Sequence, residues 1–170
     1  MSGDESTAPP PVGRLREMAG VFRNDLVLEI GCGEGGGGRL LSKECLHWFG
    51  ADVSAEALRR AARLLHDLPN ITLVALAKAG LGAFPGDSID LVYGIASFLP
   101  EQDIYIAEAH RVLRPGGRCF FEAGPTGASP TREELAACLA GAGFESVAAR
   151  DLAGGGVAGV GRKSESLHHA

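Results

Sequence analysis

The sequence lacks the features that would place it outside the globular proteins. No run of apolar residues approaches the ~18 that a membrane-spanning helix requires, so no membrane insertion is expected. Met1 to Val12 is acidic, polar and proline-rich. It has neither the basic start nor the apolar middle of an export signal and reads as a flexible tail. Basic residues are not in excess. The 16 Lys and Arg stand against 21 Asp and Glu, for a formal net charge of −5, whereas a nucleic-acid partner calls for a basic face. Cysteine is sparse and scattered: Cys32, Cys45, Cys119 and Cys138 include no C-x-x-C pair. That argues against a zinc site or a disulfide framework. Free, mostly buried thiols in a reducing cytoplasm are expected, with no metal. Neither an internal repeat nor a linker divides the chain.

What remains is a chain of 170 residues, 45% hydrophobic and 22% charged, which suits one domain with a real core. The expected domain runs over 13–162, with loose ends at 1–12 and 163–170. It is organised around Leu26-Val-Leu-Glu-Ile-Gly-Cys-Gly-Glu-Gly-Gly-Gly-Gly38. Leu26 to Ile30 reads as a buried strand interrupted only by Glu29. Glycines follow at once, and Arg39-Leu-Leu-Ser then resumes a helical pattern. A strand, a glycine turn and a helix together form a cradle for a nucleotide-like ligand, because glycine turns sharply and lets the ligand touch the backbone.

Two ligand classes compete for this cradle. Gly31-x-Gly33-x-x-Gly36 fits the dinucleotide fingerprint, with Asp52 about 20 residues on where a ribose-binding acid is expected. The same residues also read Glu29-x-Gly31-x-Gly33-x-Gly35. A carboxyl inside a buried strand is costly unless it is hydrogen-bonded or paired, so Glu29 is the discriminating residue. A glycine loop that binds nothing is the bland alternative, and it leaves the cost of so many glycines unexplained.

The rest of the chain alternates. Val12 to Phe22 carries Leu15, Met18, Ala19 and Phe22 at helical spacing. His47 to Asp52 reads as a second strand, followed by a helix from Ala55 to Leu68 that Ser54 caps. Ile71 to Ala75 and Ile89 to Gly94 are further strands. A helix from Gln102 to Leu113 leads through the turn Arg114-Pro-Gly-Gly117 into a strand from Arg118 to Glu122. Thr131-x-x-Glu134 is a capping box opening a helix that Gly143 ends. Phe144 to Arg150 and Gly156 to Arg162 form a closing hairpin. Such alternation predicts an α/β fold, a doubly wound and mostly parallel seven-stranded sheet with helices on both faces and a terminal antiparallel hairpin.

The Glu29-x-Gly31-x-Gly33-x-Gly35 pattern, Phe84-Pro85 and Glu108-Ala-His-Arg-Val-Leu-Arg-Pro-Gly-Gly117 resemble segments of the Rossmann-like (class I) S-adenosylmethionine-dependent methyltransferases, of the type 11-like small-molecule branch. The resemblance covers roughly Leu26 to Arg162. It implies an enzyme that transfers a methyl group from S-adenosylmethionine, leaving S-adenosylhomocysteine. By the same resemblance Glu29, Gly31, Cys32, Gly33 and Gly35 hold the methionine end and Asp52 the ribose. Val53 and Ala79 sandwich the adenine, and the backbone at Tyr93 and Gly94 takes the ammonium. Lys78 stands where the family has an acid that accepts from the adenine amino group. A lysine only donates, so backbone groups there must substitute.

The histidine that follows the fourth strand in many small-molecule members is replaced here by Ser97 and Phe98. No general base can be assigned; Glu101, His110, Tyr93 and Glu122 are the candidates, and proximity alone suffices for some acceptors. Glu101 is expected to cap its helix and His110 to be a surface or satisfied side chain. Arg14, Arg16 and Arg23 are within reach of the cofactor carboxylate along the chain, with solvated charges as the plainer expectation. The expected acceptor is a small molecule, with a homodimer available to cover an otherwise open site. A protein acceptor, or a module that binds the cofactor without methylating, are the alternatives.

Overall fold

The computed structural model describes residues 11–77, 80–95, 101–126 and 128–165. Seven strands form one sheet in the order β3-β2-β1-β4-β5-β7-β6. β1 (Leu26–Ile30) lies near its centre, with β2 (His47–Asp52) and β3 (Ile71–Ala75) on one side. On the other side are β4 (Ile89–Ile95), β5 (Leu113–Ala123), β7 (Val157–Arg162) and β6 (Glu145–Asp151). The five strands from β3 to β5 run parallel, while β7 is antiparallel to both β5 and β6. The doubly wound sheet with a terminal hairpin is therefore present as expected.

Strand side chains alternate between faces, and the two faces carry separate cores. On one, Leu28, Ile30, Val92 and Phe121 pack with α4 (Gln102–Val112) and α5 (Arg132–Gly141). On the other, Val27, Trp48, Leu91, Tyr93 and Phe120 pack with α1 (Pro11–Met18), α2 (Gly36–Leu41) and the segment around α3 (Ala55–Leu64). The predicted caps are formed: Ser54 accepts from the Ala57 amide, and Thr131 with Glu134 makes the full capping box.

Several boundaries differ from expectation. α1 begins at Pro11, inside the expected loose end at 1–12, because Val12 packs into the core. α1 ends at Met18, because Gly20 takes a left-handed conformation with φ of 75°. Phe22, the last member of the predicted stripe, instead lies exposed under the Arg118 guanidinium, 4.8 Å from the ring centre. α3 stops at Leu64, and a turn from Leu65 to Leu68 completes the segment. Arg114-Pro-Gly-Gly117 does not precede β5 but is looped out within it. Ile89 faces Leu113 and Leu91 already faces Arg118, so the intervening residues bulge from the ladder. Gly116 and Gly117 are held there by paired hydrogen bonds to the Lys163 backbone. Lys163 was expected in a loose tail; its ammonium reaches Asp87 and the Leu113 carbonyl, each at 2.7 Å.

The chain enters β1 over a buried ion pair. Arg118 bonds Asp25 at 2.5 Å and also reaches the Ala19 and Gly20 carbonyls, while Asp25 accepts from the Phe22 amide. Removing one member of a buried pair strands the other. Asp25→Ala is therefore expected to cost about 3 kcal/mol, the low end of the range because two carbonyls still hold Arg118. Urea denaturation of the variant beside the parent measures it.

Candidate functional site

The glycine turn leaves β1 at the end of the sheet where the parallel strands finish. Gly31 and Cys32 both donate their amides to the Ala51 carbonyl, at 2.8 and 3.0 Å, which ties the turn to β2. Gly31, Gly33 and Gly35 all have positive φ. Asp52, at the end of β2, accepts from the Gly33 amide with Oδ2 and from the Ser54 amide with Oδ1, each at 2.9 Å. Both carboxylate oxygens thus keep one backbone bond and retain further lone-pair capacity. Val53 follows and is 60% exposed.

Under the turn lies a chain of buried polar groups from three adjacent strands. The Trp48 indole N–H donates to the Tyr93 hydroxyl at 3.1 Å, and that hydroxyl donates to Glu29 Oε2 at 2.6 Å. Strand parity explains the meeting: Glu29 pairs with Tyr93 across β1 and β4, and both side chains lie on the α2 face. Glu29 is only 7% exposed, and burial pushes its pKa up to about 8, with the Tyr93 bond acting the other way and the Asp52 charge adding to the rise. A carboxyl in this setting is largely protonated at neutral pH.

The glycine run is packed unequally. A Cβ on Gly37 would overlap both Glu29 Oε2 and the Tyr93 hydroxyl, and one on Gly38 would lie 2.7 Å from the Trp48 ring. A Cβ on Gly36 meets nothing within 4 Å. The close contact between helix and strand therefore falls on Gly37 and Gly38.

The candidate bases fall in different places. Tyr93 is fully buried and its pKa lies well above the ordinary value, chiefly through burial and the Glu29 charge, so its side chain is not positioned to take a proton from an acceptor. Its backbone and that of Gly94 lie in β4, where Gly94 pairs with Ile30 beside the turn. His110 sits near the C-terminal end of α4, packed edge-on against Phe144 at 5.0 Å. The neighbouring Arg111 and Val112 carbonyls accept from Asp87 and Ser88, just before β4 begins. His110 is therefore at the opposite end of the sheet from the glycine turn, and burial lowers its pKa.

Glu101 stands exposed at the N-terminus of α4 and, against expectation, makes no side-chain cap. Both Glu122 oxygens accept from Arg14, at 2.8 and 2.5 Å, and Arg16 pairs with Glu44. Arg14 is therefore engaged rather than solvated, while the Arg16–Glu44 pair stays exposed at the surface. The Cys32 thiol is buried, which pushes its pKa up to about 12, with Glu29 and Asp52 adding to the rise. It is an inert thiol. Lys78, Ala79, Ser97 and Phe98 lie outside the described residues.

The structure adds three residues that the sequence did not single out. Trp48 supports Tyr93, Gly37 leaves room for Glu29, and Tyr105 lies close enough to Glu101 and Asp52 for both charges to raise its pKa, after burial as the main cause. Tyr105 follows Glu101 by four residues, which is a readable helical spacing. Among the described residues no group of three or more potential ligands could hold a metal ion.

A family model described as a methyltransferase domain matches residues 27–117. The 2-methyl-6-phytyl-1,4-hydroquinone methyltransferase of Synechocystis is 33% identical over 95 residues, covering 54% of this chain and 29% of that protein. The phthiotriol/phenolphthiotriol dimycocerosates methyltransferase 1 of Mycobacterium ulcerans is 31% identical over 147 residues, covering 82% and 52%. The chain thus spans about half the length of these relatives or less. Among solved structures, an S-adenosylmethionine-dependent methyltransferase from Aquifex aeolicus superposes with a TM-score of 0.73 at 18% identity. It covers 88% of this chain and 87% of that one.

Glu29 makes a pH-dependent contribution to stability. A carboxyl whose pKa rises on folding stabilises the folded chain fully only below its unfolded value of about 4.5, and that contribution is lost as pH rises through about 8. The melting temperature of the ligand-free protein, relative to Glu29→Gln, is expected to fall across that window. A constant difference from pH 4.5 to 8 in thermal melts would contradict the burial assigned to this carboxyl.

Proposed function

The chain belongs to the methyltransferase-domain family, and from that premise we propose that it transfers the methyl group of S-adenosylmethionine to a small-molecule acceptor. The observation that carries the choice of cofactor is the packing of the glycine run. A dinucleotide site requires the third glycine of G-x-G-x-x-G for close contact of helix and strand. Here that glycine, Gly36, is open, and the positions tight against the strands are Gly37 above Glu29 and Gly38 above Trp48. The arrangement that needs glycine is the one that shelters Glu29.

The residues present fit the cofactor. Gly31 to Gly35 form the cradle for the methionine end, and the free lone pairs of Asp52 accept from the ribose hydroxyls. Val53 offers an exposed apolar surface beside Asp52 for one face of the adenine. The Tyr93 and Gly94 backbone, at the end of β4 beside the turn, would accept from the cofactor's ammonium. S-adenosylmethionine supplies an electrophilic methyl group on a sulfonium. The protein then has to hold the acceptor in line and at contact distance. With the cofactor bound, Glu29 would meet its positive charge as a carboxylate, its proton passing to solvent, with Tyr93 donating to that carboxylate and Trp48 holding Tyr93. His110 and the Tyr93 side chain take no part in proton transfer. Glu101, exposed at the start of α4, and Glu122, paired with Arg14 at the end of β5, are the candidates left at the correct end of the sheet.

Relatives that carry the same domain are named for acting on a hydroquinone and on phthiotriol lipids, which supports a small-molecule acceptor. Among the described residues no helix is long and apolar enough to cross a membrane. We place the reaction in the cytoplasm, with a second copy of the chain as the partner able to cover the site.

Calorimetry is expected to show S-adenosylmethionine and S-adenosylhomocysteine binding, with NAD and NADP inert. Asp52→Ala should weaken binding more than about tenfold, since two charge-assisted hydrogen bonds of roughly 1.5–3 kcal/mol each are lost. Tight NAD binding, or an Asp52→Ala variant that binds as the parent does, would overturn the assignment.

A further inference from the structure

A cavity of about 470 Å³ opens at the end of β5, within the roughly 300–1,000 Å³ of pockets that take small organic ligands. α1 contributes Arg14 and Glu17 to it, the end of β5 contributes Glu122, Gly124 and Pro125, and the end of β6 with the β6–β7 turn contributes 150–155. We propose that this cavity is the acceptor site, and that it takes an uncharged molecule held through hydroxyl groups; the proposal rests on the methyl-transfer reading above.

Position is the first support. Glu122 pairs with Ile95 on β4, next to Gly94, and Gly94 pairs with Ile30 immediately before the glycine turn. Two strand spacings, ~10 Å, separate Glu122 from the turn at the same end of the sheet. Glu122 also shares a face with Phe120, and so with Tyr93 and Glu29. The cavity thus lies beside the methionine end of the proposed cofactor cradle.

The second support is that its wall is built. The β6–β7 turn presses against the end of β5. A Cβ on Gly155 would lie 2.8 Å from the Pro125 Cβ, and one on Gly156 would run into the Ala123 carbonyl. Both glycines have φ near +90°, so larger residues could not close the wall in this way. Pro125 and Leu152 give the cavity apolar surface for a carbon skeleton.

Charge sets the ligand class. The floor is the Arg14–Glu122 pair, whose side chains are 12% and 6% exposed. At the rim Arg150 holds Glu17 through two bonds of 3.0 and 3.1 Å, and Asp151 lies 3.6 Å from Arg132. Each guanidinium already has a carboxylate. An anion or a cation entering the cavity would have to compete with an existing ion pair. A hydroxyl group donates to a carboxylate and accepts from a guanidinium, so it adds to such a pair without splitting it.

Three probes with one ring system test this: 2-naphthol, 2-naphthoate and 2-naphthylmethylammonium, added to the full chain with and without S-adenosylhomocysteine and followed by amide NMR. The expected result is that 2-naphthol shifts the amides of Gly124, Gly154 and Gly155 and binds at least about tenfold more tightly than either charged analogue. Gly124 and Gly154 both line the cavity, and a Cβ on either meets nothing within 4 Å. Gly124→Leu and Gly154→Phe should therefore fold, lower 2-naphthol affinity about tenfold, and keep the parent affinity for S-adenosylhomocysteine. Unmoved glycine amides, a preference for a charged probe, or blocking variants that bind 2-naphthol like the parent would overturn the acceptor site alone. A parent chain that binds 2-naphthol at these glycines but not S-adenosylhomocysteine would overturn the methyl-transfer reading instead.

Discussion

The site depends on one carboxyl group held out of water. Glu29 lies inside β1, where an ionised carboxylate without partners would cost several kcal/mol. Two features make the position tolerable. Tyr93 donates to it at 2.6 Å and is itself held by the Trp48 indole, so the hydrogen-bonding groups are satisfied. Its pKa also rises to about 8, which lets the group shed its charge when no cation is near. Both require space above the carboxyl, and Gly37 provides it, since any Cβ there would overlap Glu29 and Tyr93. The glycine run is thus as much a consequence of the buried acid as a feature of the ligand cradle. Gly38 extends the same logic to Trp48, whose ring fills the space that a side chain would take.

Much of this was legible along the chain. Strand periodicity and glycine punctuation located all seven strands, and Ser54 and Thr131 announced their helices correctly. Local signals sufficed there because capping and alternation are local interactions. They failed where a distant residue decided the outcome. Arg114-Pro-Gly-Gly117 reads as a turn ahead of a strand, yet Lys163, close to the other end of the chain, holds it as a bulge inside β5. Arg14 reads as a solvated charge on an amphipathic helix until the fold brings Glu122 to it from 108 residues away.

The site residues divide in the same way. Asp52 and the glycines follow from spacing, and Glu29 from its improbability within an apolar run. Tyr93 was named among the bases because its place at the end of β4 is visible while its side-chain direction depends on pairing. Once β1 and β4 are known to be neighbours, parity sends it to Glu29 and away from any acceptor. His110 is excluded by length: α4 runs back along the sheet, and nine residues at 1.5 Å each carry it ~13 Å from Glu101. Tyr105, one turn into the same helix, stays near Asp52 and Glu101. The helix start was thus the place to look for chemistry in α4, and its end the place to look for packing.

α1 shows how apolar burial and charge divide their roles. Three ion pairs tie this short helix to three separate elements: Arg14 to Glu122 on β5, Arg16 to Glu44 after α2, and Glu17 to Arg150 on β6. The two exposed pairs are screened by solvent and contribute little, and the buried one spends much of its attraction on desolvation. Val12 and Leu15 are buried in the core shared with Trp48 and Tyr93, and full burial of such side chains contributes about 1.5–3 kcal/mol apiece. Apolar contact therefore holds α1 to the sheet, while the charges fix its direction, since rotation about its axis would misplace all three pairs at once. That fixed direction is what keeps Arg14 over Glu122 and one wall of the cavity beside the glycine turn.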